Sequence, residues 1–407
     1  MQRLLLLLST LFALYACAPT LPHKPSEEKR AAPTLAAPTT EVEKPAPVTA
    51  IIEMPAPVVV TPEITEPPMI AEPGSVPHIA LLLPLQSSSF GSAASAVQQG
   101  FMAAARLEGQ TLPIRTYGNF DENSSVVTVY RQAIANGARA VVGPLTRSGV
   151  AALAAVQNIP VPTLSLNMVE STPAQNMYFF GMAVETEARQ IAQLARQHEL
   201  HQAIIVTTRD QLSKRLQAAF EDEWNAAGGT ILREIEYGEE AAIFADITEI
   251  PGTVVFVAAD ANKARLIRPY LSNRLPIYAT SRVFAGNTDT LINYDLNEIH
   301  FVDMPWLLQA DHPAVMVYPR ASPPLSIDEE RLYALGIDAY RLIHLLLTNR
   351  LAYSLPLDGV SGQIRLNGHI FQRIATPAVF VQGQAQLANA PVLPAIQMFP
   401  EQPVGNP

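Results

Sequence analysis

The sequence predicts an α/β protein of two lobes, each a parallel sheet flanked by helices, preceded by a disordered proline-rich linker. Three observations lead there. The stretch His78–Phe101 reads as a buried strand, a turn and the opening of a helix, and the segments after it repeat that alternation. Two halves of similar size follow one another, with the chain returning late to the first. Before His78 lies a long stretch that cannot build a core. The expected division is 1–16 leader, 17–77 cysteine and linker, 78–385 two-lobed domain and 386–407 C-terminal tail. Lobe 1 is placed at about 78–183 and 283–345, and lobe 2 at about 184–282 and 346–385.

Each element has a local reason. Ile79–Leu83 is a continuous apolar run, as a strand covered on both faces requires, and Pro84 ends it because it has no N–H to donate. Ser87, Ser88 and Ser89 suit a helix cap, and Phe90, Ala94, Val97, Phe101 and Ala104 recur at helical spacing and are expected to face the sheet. Leu112–Tyr117 reads as a second strand, and Ser124–Asn136 as a helix closed by Gly137. Ala140–Val142 reads as a third strand broken by Gly143-Pro144, with Pro144 near the first position of the next helix and Thr146 as its cap. Val161–Leu166 reads as a fourth strand, Met177–Val184 is a further apolar run, and Glu185–Gln197 is helical.

In the second half, Ala203–Thr207 reads as a strand. Thr208 with Gln211 reads as a capping box for a helix to Ala227, which Gly228-Gly229 ends. Thr230–Tyr237, Thr253–Ala258 and Pro276–Ala279 read as strands, with a helix over Asn262–Leu271. Ile299–Met304 is another strand. Ser326 and Glu329 form a capping box ahead of a long helix to Leu347, and Gly359–Asn367 and Ala378–Gln382 read as the closing pair.

Composition narrows the function. Of 407 residues 48% are hydrophobic, so a large core is available, but 35 prolines exceed what one compact fold accommodates. The net charge of −10 argues against nucleic-acid binding, which needs a basic face. A single cysteine excludes a disulfide framework. That cysteine, Cys17, closes a short leader with one basic residue, Arg3, and an apolar run from Leu4 to Leu14, too short for a comfortable membrane span. Residues 18–77 carry prolines throughout and no aromatic residue. Stretched as polyproline II, about 60 residues reach roughly 190 Å; as a coil they average nearer 40 Å. The linker is read equally as a spanning arm and as a passive spacer.

The candidate cleft residues are Ser87, Ser88, Ser89, Gly143, Leu145, Thr146, Ser165, Asn167, Ser281 and Arg282, all at strand-to-helix turns or strand ends, where ligands of open α/β sheets sit. Each has a plainer reading. Serines cap helices whether or not an anion binds, Gly143–Thr146 suits the turn alone, and a solvated arginine is commoner than an anion ligand. Enzyme signatures are missing: there is no nucleophile elbow, phosphate loop or H-E-x-x-H. His198 and His201 lack a third nearby ligand for a metal. No cofactor is indicated.

Several motifs carry a resemblance when taken in order. Leu14-Tyr15-Ala16-Cys17 is similar to a bacterial lipobox, which implies acylation of Cys17; Ala18 after it implies sorting to the outer membrane. IALLLPL (79–85), QQGF (98–101), VVGPL (141–145), LSLN (164–167), ETEAR (185–189), YATSR (278–282) and YALGIDAY (333–340) together resemble the C-terminal domain of the LppC/LpoA family. The resemblance implies a type I periplasmic-binding-protein-like fold. It also implies that the partner is a class A penicillin-binding protein, a bifunctional peptidoglycan synthase whose transpeptidase is stimulated. The familiar members carry a helical-repeat domain ahead of this one, and here the linker takes that place. The alternative reading is a solute receptor holding an amino acid or other small molecule between its lobes.

Overall fold

β1 (His78–Leu82) is buried at every position, and a computed structural model shows why. It lies inside a sheet with helices on both faces. The structure describes residues 69–388, apart from 110–111, 119–124 and 239. Cys17, the leader and most of the linker lie outside the described residues, as do Ser124 and the tail beyond residue 388.

Lobe 1 begins with β1, α1 (Gly91–Glu108), β2 (Ile114–Tyr117), α2 (Val126–Ala135), β3 (Ala138–Val142), α3 (Arg147–Ala154), β4 (Thr163–Ser165) and β5 (Met177–Phe180). Lobe 2 follows with α4 (Val184–Gln197), β6 (Gln202–Thr207), α5 (Gln211–Ala226), β7 (Thr230–Glu236), β8 (Thr253–Ala258), α6 (Ala261–Ile267), β9 (Ile277–Ala279), α7 (Thr290–Asn293) and β10 (Ile299–Asp303). The short helices α8 (Pro305–Leu308) and α9 (Pro313–Met316) lead to the long α10 (Ile327–Leu347) and then α11 (Leu351–Ser354). Five strands close the chain: β11 (Leu357–Asp358), β12 (Gln363–Asn367), β13 (Ile370–Ile374), β14 (Thr376–Val381) and β15 (Gln384–Leu387). One sheet runs β11-β12-β13-β5-β4-β3-β1-β2 and the other β15-β14-β10-β9-β8-β6-β7. Pairings among β1 to β5 and among β6 to β10 are parallel.

The expected lobe limits need correction. β10, at 299–303, belongs to lobe 2, because it extends the parallel order beside β9. Residues 357–374 belong to lobe 1, because β13 pairs with β5. The chain therefore crosses between lobes three times: at 181–183, at 304–326 and at Ala375. The expected closing pair of 359–367 with 378–382 does not form. Each strand pairs with its sequence neighbour across a tight turn instead, β12 with β13 and β14 with β15. Gly368 (φ +59) and the Gln382-Gly383 pair (φ +51 and +74) supply the backbone that two-residue hairpins need.

The domain also starts before His78. Met69 packs against the lobe 1 core, and the Glu72 N–H donates to the Ala135 carbonyl at 2.9 Å. Met69 and Glu72, expected in the linker, therefore belong with lobe 1. Ser87 accepts the N–H groups of Ser89 and Phe90 within its own turn, and α1 has no side-chain cap. Phe90 is exposed rather than facing the sheet; Ala94, Val97, Phe101 and Ala104 are buried as expected. The cap of α5 is Asp210, whose carboxylate accepts the Ser213 N–H at 2.8 Å; Thr208 donates to that carboxylate instead of capping. Pro144 precedes the α3 cap by two residues and is not the first helical position. The Ser326–Glu329 capping box and the Thr146 cap are present.

α1 and α10 pack against each other over lobe 1. Gly100 and Gly336 let the backbones approach: a Cβ on Gly100 would lie 1.9 Å from the Tyr333 carbonyl oxygen, and one on Gly336 would lie 2.1 Å from that of Val97. Phe101 meets Tyr340 edge-on at 5.3 Å in the same interface.

Candidate functional site: the interlobe cleft

The carboxyl ends of the lobe 1 strands open onto a cleft of about 720 Å³, faced from lobe 2 by the starts of α4 and α5. Its wall is largely apolar: Phe90, Leu145, Met168, Met182, Leu212, Leu332 and Ile370. A smaller recess of about 290 Å³ adjoins it, where Met168, Ala183, Thr186, Arg189 and Ile370 meet Phe371 and Arg373.

Of the expected residues, Leu145, Thr146 and Asn167 line the cleft. Their polar groups are already engaged. Thr146 Oγ1 accepts the Gly149 N–H at 3.2 Å as the α3 cap. Asn167 donates from Nδ2 to the Leu145 carbonyl at 3.1 Å and accepts the Met168 N–H at 2.9 Å, tying two cleft loops together. Gly143 is a backbone requirement: it sits at φ +105, and a Cβ there would lie 2.0 Å from the Leu82 carbonyl oxygen. Ser165 is buried and donates to the Tyr178 carbonyl at 3.0 Å. Ser87, Ser88 and Ser89 do not line the cleft; their neighbour Phe90 does.

Ser281 and Arg282 also lie away from it. Arg282 is exposed and acts electrostatically on Asp210. Burial works to raise the Asp210 carboxyl, but the Thr208 hydroxyl, the Ser213 N–H, Arg282 and the Leu212 N–H outweigh it and hold the group below its ordinary 3.8. Ser281 is buried at the hinge, where its N–H donates to Glu187 Oε2 at 3.1 Å.

The charged groups of the cleft carry no mark in the sequence, because Arg147, Glu185 and Arg215 sit on three separate helices, α3, α4 and α5. Glu185 is the central one. Arg215 donates to it from Nε at 2.8 Å and also from Nη2, and Arg147 of the opposite lobe lies 3.8 Å away. Behind the cleft, two buried ion pairs join the lobes. Arg373 donates to Glu187 at 2.7 Å, and Arg331 grips Asp303 through contacts of 2.7 and 3.2 Å. Burial raises Asp303 from its ordinary 3.8; Arg331 opposes the rise, and the nearby charge of Glu187 adds to it.

Among the described residues no group of three His, Cys, Asp or Glu is placed to hold a metal, and no helix is long and apolar enough to cross a membrane. His198 caps the end of α4 and hydrogen-bonds the Tyr278 hydroxyl at 2.5 Å.

Two α/β lobes, three crossings and a cleft at the strand ends define a protein of the type I periplasmic-binding-protein-like class. A chain from Chromobacterium violaceum, described as a branched-chain amino acid ABC transporter, superposes with a TM-score of 0.66 at 36% identity, covering 75% of this chain and 100% of its own. The LpoA C-domain from Haemophilus influenzae, described as a regulator of PBP1A, gives 0.64 at 24% identity, covering 76% of this chain and 99% of that one. The profile of the LppC lipoprotein family matches residues 69–253 and 246–375, and the chain belongs to that family. This membership places it among envelope lipoproteins that face the periplasm. The penicillin-binding protein activator LpoA of Photobacterium profundum is 25% identical over 356 residues, which is 77% of this chain and 57% of that protein. The chain thus spans about half the length of the curated relatives it matches.

Proposed function

We propose that this protein is a lipid-anchored regulator that docks onto a class A penicillin-binding protein and raises its transpeptidase activity. Cys17 carries the acyl chains, Ala18 directs the protein to the outer membrane, and the proline-rich segment spans toward the synthase. The protein acts by binding rather than by chemistry, so no side chain has a catalytic role. Docking shifts the synthase only by its differential affinity for the more and less active conformations. The single observation that carries this reading is the family match from residue 69 to residue 375, across both lobes. The state of the cleft supports it, since the polar groups of Thr146 and Asn167 are already bonded internally.

The resemblance to the C. violaceum chain favours a second reading, a solute receptor. Two measurements separate the two. A receptor at 100 times its dissociation constant gains about 2.7 kcal/mol of stability and melts higher with its amino acid. A regulator shows no shift with amino acids or cell-wall fragments but retains the purified synthase on an affinity column. Retention without a shift supports the proposal; a shift without retention replaces it with the receptor.

A further inference from the structure

In a receptor that closes on its ligand, the hinge must be free to bend, and groups bridging the lobes near it must let go. Here the hinge is filled with bonded charge. Glu187 of α4 belongs to lobe 2 and Arg373 of β13 to lobe 1; they meet at 2.7 Å with side chains 6% and 5% exposed. Asp303 ends the last parallel strand of lobe 2, and Arg331 stands on α10, which packs with lobe 1; their side chains are 1% and 10% exposed. Further bonds hold the members in place, and those of Arg331 cross the same boundary. Arg331 also donates to the carbonyls of Ser281 and Phe284 at 3.0 and 2.9 Å, and Glu187 accepts the Ser281 N–H. Arg373 donates to the Ser361 carbonyl at 3.1 Å. A change of interlobe angle would shear several of these bonds at once and leave charges without water or partner, which is costly in a buried setting.

The third crossing is pinned as well. Gln190 of α4 donates to the Ala375 carbonyl at 2.7 Å and accepts the Ala375 N–H at 2.9 Å. At the cleft itself, Glu185 sits where a ligand carboxylate would be welcomed, between Arg215 of its own lobe and Arg147 of the other.

We propose that the interlobe angle is locked by this ionic clasp, so that the two lobes present one preset surface and do not close on a small molecule. The lock stands on the hinge geometry and holds whether or not a synthase is the partner.

Pulsed dipolar spectroscopy on the full chain tests it. Cys17 is the only cysteine, so a Cys17→Ser background with Ser88→Cys on lobe 1 and Ala218→Cys on lobe 2, both exposed positions, carries two spin labels at defined places. The unaltered clasp gives one narrow distance distribution that does not move on adding an amino-acid mixture. Replacing both pairs together, Glu187→Gln with Arg373→Met and Asp303→Asn with Arg331→Met, broadens or splits it. Glu187→Gln alone keeps the shape of the site and broadens the distribution to a lesser degree, which preserves the test if the fourfold variant fails to fold. A broad or two-peaked distribution with the clasp intact overturns the proposal. So does a distribution that stays narrow in folded clasp variants.

Discussion

Arg331 reaches from α10 to four carbonyl or carboxylate oxygens on two neighbouring segments, and its removal would leave Asp303 buried without its counter-ion. Arg331→Met is therefore expected to cost about 3–5 kcal/mol, the range for breaking a buried pair by deleting one partner. Denaturant unfolding measures this, and a loss below about 1 kcal/mol would show that the pair contributes little. Asp210 permits a finer test. Its carboxylate caps α5 and its pKa is lowered on folding, so its contribution is present above the ordinary 3.8 and is lost as pH falls through the lower folded value. Asp210→Ala is expected to cost about 1 kcal/mol at pH 7. The gap between the two proteins should then narrow as pH falls below about 4. A gap independent of pH would assign the loss to helix propensity rather than to the charge.

At the scale of elements, the α1–α10 crossing rests on two glycines with no room for a methyl group. Gly100→Ala and Gly336→Ala are each expected to destabilise by about 1–3 kcal/mol or more, because the obstacle is backbone and cannot swing aside. Thermal melting checks this, and an unchanged melting temperature would mean that the helices slide apart at no cost. The second of these helices was plain in sequence: the Ser326 box and the helix expected to run to Leu347 match α10 nearly to the residue. Continuous apolar runs likewise gave β1, β6 and β8, which are buried along nearly their whole length. Membership of the lobes was not readable. Neither β10 nor β13 carries a local mark of its lobe, and only long-range pairing with β9 or β5 decides which sheet takes each. The cleft was half readable for a similar reason. Turn residues such as Leu145, Thr146 and Asn167 announce a strand end, while Glu185, Arg147 and Arg215 become a cluster only when three helices converge.

For the whole molecule, the proposed function assigns an anchor to Cys17, a reach to the proline-rich segment and docking to the two-lobed body with its clasped hinge. The acidic net charge of −10 fits contact with another protein better than contact with nucleic acid or an anionic membrane surface. Losing the anchor should separate reach from recognition. Cys17→Ser is expected to leave binding to the purified synthase intact and to move the protein from the membrane fraction to the soluble periplasm. Retention in the membrane fraction would contradict the acylated anchor. The central claim is met most directly by measuring peptide cross-linking by the purified class A synthase of the same cell, with and without this protein at equal molar amounts. The account predicts a several-fold rise in cross-linked product when the protein is added; an unchanged rate would contradict it.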